Sequence, residues 1–147
     1  MFDEEAILLD IKGADATDVL SQMADVLYKK DVVKDTYKEA LLTREVDYPT
    51  GLQVDRIGVA IPHTDAVHVN KDQIAFARLT EPVVFRQMGD GVEVQVSLVF
   101  MLALKEAHAQ LATLQKLVSL IQDEAVIKQL TTSNSISDVK QILEKNI

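Results

Sequence analysis

The apolar residues in the first third of the chain recur at helical intervals and predict two helices. The first helix is expected to end near Lys29, behind a cap at Asp15 or Thr17. Its apolar positions are Val19, Leu20, Met23, Val26 and Leu27. The second helix, "TYKEALLTRE" behind a cap at Asp35 or Thr36, has on one face Tyr37, Ala40, Leu41 and Arg44. The pattern therefore places an arginine at the end of an otherwise apolar helix face.

Short apolar runs predict four strands. The first is "AILLD" near the N-terminus, and the others, "GVAI", "QIAFARL" and "EVQVSLVFMLAL", follow the turn-rich passage "DYPTGL". The last run is almost continuously apolar, which is typical of a strand that is covered on both faces. The segment "MGDGV" is expected to turn the chain before this strand.

The C-terminal third is helical in pattern. A helix is expected from about Ala107 to Gln122, with an apolar stripe of Leu111, Leu114, Leu117, Val118 and Ile121. Two shorter helices are predicted in "EAVIKQL" and "SISDVKQILEKN". Helices before, between and after strands predict an α/β fold, with a mixed parallel and antiparallel sheet and helices packed on both faces. No repeat or linker interrupts the pattern, so we expect one domain over residues 1–147.

The composition limits what this domain can do. The absence of cysteine excludes disulfides, thiolate zinc ligands and a thiol nucleophile. A formal net charge of −8 disfavours nucleic acid, because binding there depends on Lys and Arg at the phosphates, and it suits a basic protein partner. The N-terminus carries acids where a secretory signal carries bases, and the longest apolar run, Val96 to Leu104, is too short to span a bilayer. We therefore expect a soluble cytoplasmic protein.

One of the three histidines stands directly after a proline, in "GVAIPHTD". Pro62 fixes its own φ and lacks a backbone donor, so a strand cannot easily continue through it. His63 is therefore expected just past a strand end, where α/β folds tend to place ligands. From this position alone, a surface histidine in a loop is an equally good interpretation.

Two further side chains could act together with His63. His108 is predicted at the start of the long helix, leaning toward the apolar stripe, where the helix dipole would keep its ring neutral and favour an incoming anion. It could also be a capping or partly buried structural histidine. Arg44 could bind a phosphate with its planar fork of donors. Alternatively, it could extend into solvent or complement the helix dipole.

The segment "HTDAVH" adds Asp65 and His68 to this set. Together with His63 they could form a metal site, which makes a metal-dependent hydrolase one alternative, although closed zinc sites rely on cysteine and carboxylates are few here. In the other interpretation, Asp65 caps the turn or orients an imidazole, and His68 lines the rim. No nucleotide-binding loop or nucleophile elbow occurs. Any phosphoryl group would therefore have to arrive on another carrier.

Several segments together resemble a known family. The segments "LLTRE", "YPTGL", "GVAIPHTD", "DGVEVQVSLVFMLAL" and "HAQLATLQKLVSLIQDEAVIKQL" are similar, in order and spacing, to IIA components of bacterial phosphoenolpyruvate-dependent sugar phosphotransferase systems of the fructose–mannitol class. The resemblance extends from about Phe2 to the last helix, and "YPTGL" and "PHTD" are most similar to the galactitol-type branch. Thr64 stands where many relatives have a glycine.

The resemblance implies a role for each candidate residue. His63 corresponds to the histidine that accepts the phosphoryl group, His108 to the second active-site histidine, and Arg44 to a phosphate-binding arginine. A histidine-containing phosphocarrier protein would donate to His63, which would pass the group to a cysteine of a IIB component. The membrane IIC component would be an indirect partner, the sugar could be galactitol, and neither a cofactor nor a metal is expected. The nearest alternative is a domain that binds regulators according to its phosphorylation state.

Overall fold

The computed structural model describes residues 1–147, which form five strands and five helices. The strands are β1 (Ile7–Ile11), β2 (Gly51–Val54), β3 (Ile57–Ala60), β4 (Gln73–Arg86) and β5 (Glu93–Ala103). The helices are α1 (Ala16–Lys29), α2 (Tyr37–Asp47), α3 (Ala107–Ile121), α4 (Glu124–Thr132) and α5 (Ile136–Asn146). None of these helices has the length and apolar character needed to cross a membrane.

The strands form one mixed sheet in the order β1-β4-β5-β3-β2. The pairs β1–β4 and β3–β5 are parallel, whereas β2–β3 and β4–β5 are antiparallel. Alternate residues of the central strand β5 point to opposite faces, so that Met101 packs with residues of α1 and α2 and Phe100 packs with residues of α3, α4 and α5. Helices therefore cover both faces, and the predicted α/β fold with a mixed sheet is confirmed.

Two strands differ from the prediction. The strand β2 lies partly in the passage that was expected to be only a turn, and it is an edge strand that pairs with β3. The strand β4 runs past the predicted "QIAFARL" to Arg86, because its pairing with β5 resumes at Val83 after an irregularity. Pro82 lies within this irregularity, where the ladder needs no donor. Strand pairing therefore overrides the local turn and proline signals.

The buried face of α3 also differs from the predicted stripe. Leu117 and Ile121 are buried as expected, whereas Leu111 and Val118 are 56% and 37% exposed. Leu120, which the predicted stripe omits, is buried. The helix therefore contacts the sheet along a line rotated from the predicted one, and Leu111 lies on its solvent side.

The predicted helix caps differ in outcome. Asp15 caps α1, because its carboxylate accepts a hydrogen bond of 2.8 Å from the Asp18 N–H. Thr36 occupies the N-cap position of α2, but its side chain makes no capping bond. The Thr36 hydroxyl instead lies 2.8 Å from Nδ1 of His68. The Thr36 hydroxyl, which the sequence predicts as a helix cap, therefore makes a tertiary contact with His68 instead.

Candidate functional site

The loop Ile61–Thr64 follows directly after β3 and presents His63. Hydrogen bonds from several elements hold it. The Ile61 N–H donates to the Thr50 carbonyl at 3.1 Å, and the Leu102 N–H of β5 donates to the Pro62 carbonyl at 3.0 Å. At the other end, the Gln110 amide of α3 donates to the Thr64 carbonyl at 3.0 Å. Because both neighbours of His63 are bound to the scaffold, its backbone has little freedom.

The His63 ring is half-buried, and its tautomer follows from its hydrogen bond. Nδ1 lies 2.8 Å from the Ile61 carbonyl oxygen. A carbonyl oxygen can only accept, so Nδ1 carries the proton and Nε2 of the neutral ring has the free lone pair. Burial lowers the pKa of His63 below its ordinary value, and the nearby charge of Arg44 lowers it further, against the opposing effect of the Ile61 bond. The ring is therefore neutral at pH 7, with Nε2 available as a nucleophile.

Arg44 lies in the last turn of α2 and is only partly engaged by the protein. Its Nη1 is 3.9 Å from an Asp65 carboxylate oxygen, and its guanidinium lies over the Tyr48 ring at 5.1 Å from the centroid. Its Nε is buried and has no hydrogen-bond partner. An unsatisfied charged donor favours a ligand that can accept from it. The guanidinium is therefore suited to bind an anion, and its charge is close enough to His63 to lower the pKa of that ring.

Asp65 and His68 line a groove of about 460 Å³ together with Arg44. The Asp65 side chain makes no capping bond, so the prediction that it caps the turn is wrong. Its carboxylate faces Arg44, not an imidazole. His68 is half-buried and contacts Thr36 through Nδ1. The predicted position of His68 at the rim agrees with this geometry.

The metal site that the hydrolase alternative requires is not formed. No group of three or more His, Cys, Asp or Glu side chains is arranged to hold a metal ion. Within "HTDAVH", Nδ1 of His63 is bound to the Ile61 carbonyl, Nδ1 of His68 is bound to Thr36, and Asp65 faces Arg44. The three side chains thus point to separate partners.

His108 is the second residue of α3, as predicted, but its side chain is exposed. The expected lean toward a buried stripe is wrong, since Leu111, its neighbour one turn later, is exposed as well. The Gln110 bond to the Thr64 carbonyl nevertheless brings this helix start to the His63 loop. Glu106 at the N-cap makes no side-chain bond, so the first N–H groups of α3 have no side-chain cap.

Two residues that hold the backbone next to the His63 loop, Glu45 and Thr50, were not predicted as site residues. Glu45 follows Arg44, and its carboxylate accepts hydrogen bonds from the Thr50 N–H at 2.9 Å and the Thr50 hydroxyl at 2.8 Å. Burial raises the pKa of Glu45 even though both bonds act to lower it. The signal in the sequence was that Glu45 and Thr50 lie in "LLTRE" and "YPTGL", two of the segments that carry the family resemblance, but no role was predicted for either residue.

The chain is similar to known proteins along most of its length. Residues 1–146 match the family described as phosphoenolpyruvate-dependent sugar phosphotransferase system, EIIA 2. The galactitol-specific EIIA component of Escherichia coli is 34% identical over 122 residues, which cover 83% of this chain and 81% of that protein.

Solved structures show the same fold. A chain from the complex of enzyme IIAMTL and phosphorylated enzyme IIBMTL of Escherichia coli has a TM-score of 0.78 at 27% identity, and the match covers 99% of both chains. The nitrogen regulatory protein IIA-Ntr of Neisseria meningitidis has a TM-score of 0.76 at 29% identity, over 97% of this chain and 95% of that one.

Proposed function

This chain belongs to the EIIA 2 family of the phosphoenolpyruvate-dependent sugar phosphotransferase system and is a phosphoryl-relay protein, and we propose that its phosphoryl group is carried on Nε2 of His63. The observation that supports this most directly is the 2.8 Å bond from Nδ1 to the Ile61 carbonyl, which leaves Nε2 unprotonated in a neutral ring. Neutral imidazole is a nucleophile near pH 7, and the phosphoramidate that it forms remains a good donor.

In the proposed first step, the N–P bond of a phosphohistidine on the donor protein breaks as Nε2 of His63 bonds to phosphorus. The proton on Nδ1 stays in place, so the phosphorylated ring is positively charged, and the Ile61 carbonyl accepts its hydrogen bond. In the second step the Nε2–P bond breaks, a thiolate sulfur of the IIB partner bonds to phosphorus, and the ring returns to its neutral form. A positively charged ring is a good leaving group, which makes the carrier reversible.

Arg44 and His108 are proposed to stabilise the travelling phosphoryl group. Phosphoryl transfer depends mainly on positioning and on charge stabilisation at the equatorial oxygens. Arg44 has a buried Nε without a partner and Nη1 at 3.9 Å from Asp65, so it can turn its donors toward a phosphate. His108 lies on the helix start that Gln110 joins to the His63 loop. Its exposed ring can donate to a phosphoryl oxygen while a partner is bound.

The proposed donor is a histidine-containing phosphocarrier protein, and the proposed acceptor is a cysteine of a IIB component, with the membrane IIC component as an indirect partner. The structural match to IIAMTL in its complex with phosphorylated IIBMTL supports the IIB partner. The identity of 34% to a galactitol-specific EIIA component supports galactitol as the sugar. A cytoplasmic location is part of the same proposal.

The acceptor is tested by labelling the chain with the phosphorylated carrier protein. His63→Ala should abolish the acid-labile label while its circular dichroism spectrum remains native. His68→Ala is the matched control, since it removes another imidazole of the same loop region and should still be labelled. Labelling of His63→Ala at the wild-type level would rule out the assignment.

The role of His108 is tested separately. His108→Ala should still accept the phosphoryl group on His63, but it should pass the group to the IIB cysteine more slowly. The measurement is the rate at which label moves from the purified phosphorylated variant to IIB. Forward transfer at the wild-type rate would show that this histidine takes no part in the relay.

A regulatory role is the second candidate function. The likeness to the nitrogen regulatory protein IIA-Ntr, at 29% identity over 97% of this chain, favours it. In that role the same phosphohistidine would change the affinity for a regulator and would not supply a transporter. Failure to label any cognate IIB cysteine, together with binding of a regulator to only one phosphorylation state, would favour this role over the relay.

A further inference from the structure

We propose that Glu45 is a positioning residue for His63, acting through Thr50 and the Ile61 carbonyl. This inference rests on the proposed function of His63. A continuous path of hydrogen bonds joins the two side chains, although Glu45 itself is not in contact with the imidazole. Its steps are the Glu45 carboxylate to Thr50, the Thr50 carbonyl to the Ile61 N–H, and the Ile61 carbonyl to Nδ1 of His63.

The first step of the path clamps the start of β2 to α2. The two oxygens of Glu45 accept separate bonds, one from the Thr50 N–H at 2.9 Å and one from the Thr50 hydroxyl at 2.8 Å. Thr50 is only 2% exposed, and water therefore cannot easily replace these bonds. The ion pairs of the structure do not include Glu45. The Glu45 carboxylate therefore accepts hydrogen bonds from Thr50 and forms no ion pair with a cationic side chain.

The second step carries this constraint to the catalytic loop. The pairing of β2 with β3 ends at Gly51 opposite Ala60, and the bond of 3.1 Å from the Ile61 N–H to the Thr50 carbonyl extends it by one residue. Pro62 follows directly, and its fixed φ and missing N–H favour the end of the strand there. The position of Thr50 therefore decides where the last paired residue before His63 lies.

The third step orients the imidazole. Hydrogen bonds fix the backbone on both sides of the Ile61 carbonyl. The Ile61 N–H donates to the Thr50 carbonyl, and the Pro62 carbonyl accepts from the Leu102 N–H. Nδ1 of His63 donates to the Ile61 carbonyl at 2.8 Å. A shift of Thr50 would rotate this carbonyl and with it the direction of Nε2, on which in-line attack depends.

The test compares two substitutions of Glu45. Glu45→Ala removes both acceptors, whereas Glu45→Gln keeps both bonds, because its amide oxygen accepts from the Thr50 N–H and its NH₂ donates to the Thr50 hydroxyl oxygen. We expect Glu45→Ala to slow phosphorylation of His63 by about 10- to 100-fold at saturating carrier, the cost of a misplaced reacting group. Glu45→Gln should stay within about 2-fold of the wild type, since the path needs the two bonds and not the charge. Glu144→Ala, on the exposed side of α5, is the matched control for loss of a glutamate.

A second readout separates positioning from general stability. The ¹⁵N shifts of the His63 ring in the unphosphorylated protein report its tautomer. The wild type, Glu45→Gln and Glu144→Ala should show the Nδ1–H form, and Glu45→Ala should show a mixture. This measurement needs no phosphoryl donor, so it stands even if the wild type accepts no phosphoryl group and the proposed function fails. Glu45→Ala with the wild-type tautomer and the wild-type rate would overturn the inference.

If Glu45→Ala does not fold, the same path can be interrupted at Thr50. Thr50→Ser keeps the hydroxyl and should preserve both the rate and the tautomer. Thr50→Val keeps the backbone bond, loses the hydroxyl bond, and should reduce the rate with a partial change of tautomer. Equal behaviour of the serine and valine variants in both measurements would also overturn the inference.

Discussion

Replacing Arg44 with alanine should slow phosphorylation of His63 far more than it lowers stability. The Arg44 side chain is 36% exposed, and its partner Asp65 is 78% exposed at 3.9 Å, a geometry in which an ion pair contributes about 0 to 1 kcal/mol. The contact with the Tyr48 ring at 5.1 Å adds about 0.5 to 1 kcal/mol at an exposed site. The free energy of unfolding should therefore fall by about 1 kcal/mol.

The expected loss of rate is larger, because Arg44 is proposed to stabilise the transferred phosphoryl group and its charge acts on the His63 ring. Removing one donor that stabilises a transition state slows related reactions by about 10²- to 10³-fold. Since the Arg44 site is partly open to water, we expect the lower end, about 100-fold, which corresponds to about 2.7 kcal/mol. Arg44→Lys keeps the charge and loses the planar fork, so it should fall between the alanine variant and the wild type.

The assay is single-turnover labelling of the chain by ³²P-phosphorylated carrier protein, at carrier concentrations that saturate the wild type. Urea unfolding of the same proteins measures stability. Asp65→Ala serves as the control, because it removes the same ion pair and leaves the guanidinium in place. If Arg44→Ala is labelled at the wild-type rate, or if Asp65→Ala is slowed equally, the guanidinium does not stabilise the transferred group.

Three further outcomes follow from the structure. Gly58→Ala should destabilise the chain by about 1 to 3 kcal/mol or more in urea unfolding, because the added Cβ would lie 2.1 Å from the Gln95 carbonyl oxygen; unchanged stability would contradict the β3–β5 packing. Folding lowers the pKa of His63, so its contribution to the free energy of unfolding is full above its ordinary pKa of 6.5 and is lost as the pH falls through the folded pKa. An NMR titration of His63 with a midpoint at or above 6.5 would refute the lowered pKa. Arg78→Leu should cost about 2 to 3 kcal/mol in thermal unfolding, because the buried Leu130 carbonyl loses its donor, and a wild-type melting temperature would exclude that role.

Much of the fold could be predicted because it depends on local periodicity. The apolar spacing from Val19 to Leu27 predicts α1, and the continuous apolar run in "EVQVSLVFMLAL" predicts the buried central strand β5. The failures occur where a distant partner decides the structure. β2 forms because β3 pairs with it, and the rotation of α3 depends on the sheet beneath it, which buries Leu120 and exposes Leu111.

The same division holds for the site. The position of His63 after Pro62 and the presence of Arg44 on an apolar helix face are visible in the sequence, because proline geometry and helix periodicity are local. The pairing of Arg44 with Asp65, the Gln110 bond to the Thr64 carbonyl and the Thr36 contact with His68 are not visible there. Each joins residues from different elements.

The sequence by itself therefore determined which helices and strands the chain favours and that His63 ends a strand at a proline. Only the tertiary structure decided which ring nitrogen of His63 is free, because the Ile61 carbonyl accepts a hydrogen bond from the Nδ1–H group. It also brought the Glu45 carboxylate into contact with Thr50, whose carbonyl accepts from the Ile61 N–H. The physical reason is that helix and strand patterns arise from neighbouring residues, whereas hydrogen-bond partners and burial depend on residues that meet only when the chain is folded.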